Sequence, residues 1–201
     1  MENAIVKRVK SQAKNLKILS EELKVQMALG KAEARDLVER ERKTFTKYIN
    51  KQRQEIEKIE TTNSESRREF LTAVENLESS LFEEVPSKVR AYESYKKTVM
   101  ENIFKLEEQI RDNYPSLNQD VQETLDTFKA KLDAFRVNLA LHDKDDPETV
   151  KNVKADLTNK LDDIRILLSK QEESQSRLDN FVEDISESFN YLKRAIADLS
   201  S

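Results

Sequence analysis

The sequence predicts an all-α protein: an elongated antiparallel coiled coil or helical bundle of about four helices, two or three of them very long, with no β-sheet. Three observations predict it. The 201 residues include one Gly and three Pro, where an ordinary domain of that length would carry roughly 14 and about 10 to build its turns. Charged and hydrophobic side chains each make up 37%, the balance of a narrow apolar seam on solvated helices rather than of a globule with a broad core. Apolar residues recur in alternating steps of three and four, and no stretch shows the period of two that a strand needs.

The first helix is expected over about 3–60. Its seam runs through Ile5, Val9, Leu16, Leu19, Leu23, Met27, Gly30, Ala34, Leu37, Glu41, Phe45, Tyr48, Gln52, Ile56 and Ile59, with Gly30 read as a glycine tolerated inside the helix beside Ala28, Ala32 and Ala34. Six polar residues at 61–66 then interrupt the seam, and Ser66 with Glu69 has capping-box spacing. A second helix, 64–112, follows Phe70, Val74, Leu77, Leu81, Val85, Val89, Tyr92, Tyr95, Val99, Ile103, Leu106 and Ile110. Pro86 falls inside it with no Gly, Asn or Asp nearby to build a reversal, so a kink is expected there rather than a turn.

Pro115 marks a loop, and a third helix, 117–141, carries Val121, Leu125, Phe128, Leu132, Phe135 and Leu139. Asp146, Pro147 and Glu148 form a helix start: an N-cap, a first-turn proline and an acid in the positive first turn. The fourth helix, 147–199, runs from Val150 through Leu157, Leu161, Ile164 and Leu168 to Leu199. The expected domain organisation is therefore one elongated helical domain over 1–201.

These lengths do not match. In an antiparallel arrangement the fourth helix would overrun the short third by roughly 25 residues, or ~40 Å. That overhang leaves Leu178, Val182, Ile185, Phe189, Leu192 and Ile196 as a self-association surface, and a homodimer or another helical protein as the expected partner.

Charge is segregated along the chain. Residues 1–60 carry 15 basic and 10 acidic side chains, whereas 115–201 carry 12 and 18, and the whole chain has a formal charge of −4. The basic excess concentrates at Lys7, Arg8, Lys10, Lys14 and Lys17. These residues either pair with acidic helices of the same fold or form a face for an anionic surface.

Chemistry is hard to find. The chain has no Cys and a single histidine, His142, at a helix end, which cannot build the paired histidine motifs of a helical di-iron site. The acids Asp143, Asp145, Asp146 and Glu148 lack the spacing and central glycine of an EF-hand loop. All-α nucleotide pyrophosphatases hold magnesium with Glu-Glu-x-x-Glu. Here the pairs at Glu21, Glu83, Glu107 and Glu172 meet Val25, Ser87, Arg111 and Ser176 at the third acidic position. No catalytic residue, metal ligand, cofactor or small-molecule substrate is expected. A basic helix interleaved with acids and a sequence pI near 5.4 disfavour nucleic acid.

The expected function is a non-enzymatic scaffold or interaction protein acting through coiled-coil self-association or partner-helix binding. The alternative is a membrane-associated protein. Helices of 50–60 residues, a proline kink and a basic first helix resemble in outline the BAR domains, whose resemblance implies a curved dimer binding anionic lipid through basic residues. No apolar run reaches membrane-spanning length and the first residues carry no signal-peptide pattern, so a cytoplasmic location is expected, peripheral to a membrane in the alternative.

Overall fold

The computed structural model describes residues 4–58, 64–114, 117–144, 147–171 and 178–198. Among them are seven helices and no strand: α1 (Ala4–Ala28), α2 (Lys31–Glu57), α3 (Ser64–Ser80), α4 (Val89–Asn113), α5 (Asn118–His142), α6 (Pro147–Gln171) and α7 (Leu178–Asp198). The chain divides into two compact units, residues 32–132 and residues 1–31 with 133–201, and the division falls inside α5.

The expected 3–60 helix is broken at Leu29 and Gly30. Gly30 does not take a positive φ, so the glycine is not acting as a left-handed cap. The break is instead met by a side chain: Asn138 Nδ2 donates to the Gln26 carbonyl at 2.7 Å and to the Leu29 carbonyl at 3.0 Å. His142 Nε2 lies 3.3 Å from the same Leu29 oxygen. Carbonyls released by ending α1 thus regain donors, and the poor helix propensity of glycine makes this the weakest link of the segment.

The second expected helix also divides. Residues 81–88 are not helical, and the chain reverses there, with Phe70 meeting Tyr114 edge-on at 5.1 Å and Asn102 donating to the Asn76 carbonyl at 3.2 Å. Pro86 therefore lies in a turn and not in a kink. The missing signal is tertiary. Glu39 on α2 accepts the Val85 N–H at 2.5 Å, Arg42 donates to the Leu81 carbonyl, and the two are paired at 2.8 Å. Together they replace the turn residues that the local sequence lacks.

In the unit of residues 32–132 the apolar stripes meet in bundle-like packing. Phe45 of α2 stacks on Phe128 of α5 at 3.9 Å with an interplanar angle of 12°. Arg53 of α2 reaches Glu75 and Glu78 of α3. Tyr92 of α4 donates its hydroxyl to the Leu132 carbonyl at 2.6 Å. Lys129 of α5 pairs with Glu107 at 2.6 Å and with Asp126 at 2.7 Å. Burial opposes the lysine's charge, but these hydrogen bonds outweigh it and its pKa is raised. The seam on α2 differs by one position from expectation: Val38, Arg42 and Ile49 are buried, while Leu37, Glu41 and Tyr48 are only half-buried. A core-facing helix buries a stripe wider than a two-residue seam, and Arg42 can enter it because its donors are taken up.

In the other unit α1 packs against α6 and α7, and α6 against α7. Leu16, Leu19 and Leu23 of α1, Leu157, Leu161 and Ile164 of α6, and Ile185 and Leu192 of α7 are buried. Each such side chain contributes about 1.5–3 kcal/mol of transfer free energy. Residues 132–141 of α5 are all buried, polar Asp133, Arg136 and Asn138 included. Asp133 is met by Lys193 of α7 at 3.1 Å.

The remaining helix starts follow the sequence closely. α6 begins at Pro147 with Glu148 in its first turn, and Asp146 lies outside the described residues. α3 begins at Ser64, so Ser66 and Glu69 are within the helix rather than at its cap. Residues 172–177 of the expected 147–199 helix lie outside the described residues. Among the described residues the longest helix, α2, has 27 residues, so the first helix of nearly 60 residues behind the likeness to BAR domains is not kept.

Candidate functional site

Four of the five lysines of α1 recur at 10, 14, 17 and 24, steps that place them along one face of the helix. Lys10, Lys14 and Lys17 are exposed on it, next to a row of apolar residues that bury against α6. The seam of α6 (Leu157, Leu161, Ile164) in turn sets Arg165 beside the α1 lysines. Between the two helices lies a groove of about 460 Å³. Among the described residues, Lys10, Lys14, Lys17, Lys24 and Arg165 line it with one acid, Glu21, and its apolar lining is Ala13 and Leu168.

Ser20, Ser169 and Lys24 in the groove have partners within the chain. Ser20 donates its hydroxyl to the Lys17 carbonyl and Ser169 to the Ile166 carbonyl, both at 2.8 Å. Lys24 pairs with Asp162 at 3.4 Å, a half-exposed pair that water and salt weaken. What the groove offers a ligand is positive charge over a small apolar strip, which suits carboxylates or phosphates carried on a partly apolar body.

Three of the five residues expected to form a basic face therefore line one groove. The side chains of Lys7 and Arg8 lie outside the described residues. Lys24 was foreseeable as the next turn of the same face, whereas nothing in the sequence says that α6, and so Arg165, lies opposite.

The expected self-association surface fares differently. Ile185 and Leu192 are fully buried within the chain, and Phe189 is half-buried with Lys193 Nζ 5.5 Å from its ring centre. The side chains of Leu178, Val182 and Ile196 lie outside the described residues. With α7 packed on α1 and α6, two of its central positions already have apolar neighbours.

His142 is exposed beside the end of α1, and Asp143 and Glu148 are exposed near it, with Asp145 and Asp146 outside the described residues. No group of three or more His, Cys, Asp or Glu among the described residues could hold a metal ion, and no described helix is long and apolar enough to cross a membrane. No protein-family model, curated protein or solved structure matches this chain.

Proposed function

We propose that this chain is a non-enzymatic helical interaction protein that holds an acidic partner helix in the α1/α6 groove. The observation that carries this reading is the convergence of Lys10, Lys14, Lys17 and Arg165 over an apolar strip. A partner helix with acids at i, i+4 and i+7 would repeat the lysine spacing, and apolar residues between them would face Ala13 and Leu168. Titrating a synthetic amphipathic peptide with that glutamate spacing, by fluorescence anisotropy, tests it. Binding should weaken as salt rises, and Lys14→Glu with Lys17→Glu should weaken it by at least about tenfold. Absence of binding at low ionic strength would remove the reading.

A second reading is favoured by the exposure of Lys10, Lys14 and Lys17 on a single helix face: an anionic lipid surface, to which each basic side chain near the surface adds about 1 kcal/mol. Co-sedimentation with vesicles containing phosphatidylserine, against vesicles of phosphatidylcholine alone, separates the two readings. Binding to the former with no binding to the peptide would favour lipid.

A further inference from the structure

We propose that Glu21 sets the charge order of the groove's occupant: a partner protein's amphipathic helix with acids facing Lys10, Lys14 and Lys17 and an uncharged or basic residue at the next position of the same face. The inference rests on the groove being a binding site for an acidic helix, and it specifies which acidic helix.

Both walls of the groove belong to the unit of residues 1–31 with 133–201. The α1 wall carries Lys10, Lys14, Lys17, Glu21 and Lys24, spaced by four, three, four and three. That alternation keeps all five on one helix face. A partner helix lying along it meets them with its own positions i, i+4, i+7, i+11 and i+14, over roughly 21 Å at 1.5 Å per residue. The first three positions meet cations. Ala13 lines the groove between Lys10 and Lys17, so charge pairing and apolar contact coincide along this stretch.

The fourth position meets a carboxylate. Glu21 is exposed, and its charge is presented to whatever lies in the groove. Lys24, the next cation along the face, is shared with Asp162 of α6 at 3.4 Å. A partner acid at i+11 therefore faces Glu21 and finds its nearest cation beyond it already paired with a carboxylate. With Arg165 on α6, five cations line the groove against Glu21 among the described residues, so an acidic occupant is attracted overall. Glu21 decides where its acids stop, because facing like charges reject a wrong partner. A uniformly acidic helix is the wrong partner, and one with three acids followed by glutamine or lysine is the right one.

Two synthetic helical peptides of identical composition test this by fluorescence anisotropy at low ionic strength. Both carry Glu at i, i+4 and i+7. The first has Gln at i+11 and a further Glu on its solvent-facing side. The second exchanges those two residues, so net charge is the same. The wild-type chain should bind the first at least about threefold more tightly. Glu21→Lys, with unchanged helical circular dichroism, should reverse that order, and Glu21→Gln should bring the two peptides within about twofold of each other. Equal binding of the two by wild type, or a preference that Glu21→Lys leaves as it was, would overturn this inference and leave the groove as a site for acidic helices. Binding of neither peptide rejects the acidic-helix reading together with this inference, and binding to phosphatidylserine vesicles in that case assigns the lysines to lipid.

Discussion

Arg42 occupies a core position on α2 and is 9% exposed. Its Nε lies 2.8 Å from Glu39, its Nη1 donates to the Leu81 carbonyl, and Glu39 uses its other oxygen on the Val85 N–H. Removing one member of such a set leaves a buried carboxylate and a buried carbonyl uncompensated. Arg42→Ala should therefore lower the unfolding free energy by about 3–5 kcal/mol, measured by urea denaturation. Tyr95 lies close to the same pair, and its buried hydroxyl has no hydrogen-bond partner among the described residues. Burial pushes its pKa up to about 12 from 10.0, with Arg42 opposing and Glu39 adding to the rise. The folded form keeps this proton where the unfolded chain has lost it. The group therefore leaves stability unchanged well below pH 10 and erodes it as pH rises from 10 toward 12. Tyr95→Phe should be neutral or slightly stabilising at neutral pH. Thermal unfolding at rising alkaline pH should then show wild type losing ground to the variant across that window.

At the level of single elements, the expected 3–60 and 64–112 helices each divide, and in each case a distant side chain replaces a local turn signal. Asn138 supplies donors at the end of α1, and Glu39 with Arg42 supplies both kinds of partner at residues 81–88. If those contacts hold the turn, Pro86 is compatible with it but does not cause it. Pro86→Ala should then change stability by no more than about 1 kcal/mol and add no helical ellipticity. A gain in ellipticity at 222 nm would show instead that proline alone interrupts a continuous helix. The helix class and most buried positions were legible, because the step of three and four survives wherever a helix packs on one side: Phe70, Val74, Leu77, Val99, Ile103 and Leu106 are all buried as read. The ends were legible only where a residue states them locally, as Pro147 does. Gly30 and Pro86 state a weakness, and whether the chain bends, breaks or turns there is decided by residues as far away in sequence as Asn138.

For the whole molecule, 3–60 and 64–112 are each two helices, so the first two of the lengths compared in the sequence are replaced by shorter ones. Half of the basic groove was legible in the same limited sense. The α1 face can be read from the spacing of its lysines, while Arg165 enters through a pairing of helices more than a hundred residues apart that no local pattern encodes. Residues 32–132 form a compact unit from one continuous stretch of chain, so a fragment spanning them should fold alone. It should be helical and melt cooperatively, and a non-cooperative thermal transition would refute that independence. The first 31 residues have a different history, because their unit is completed only by residues from 133 onward. At about 5–20 residues per second of synthesis, α1 waits on the order of 5–20 s for its partners. Leu16, Leu19 and Leu23, buried in the finished unit, face solvent throughout that interval. The newborn chain is thus more exposed to aggregation and more dependent on chaperone cover at α1, while the stretch made after it can already be folding.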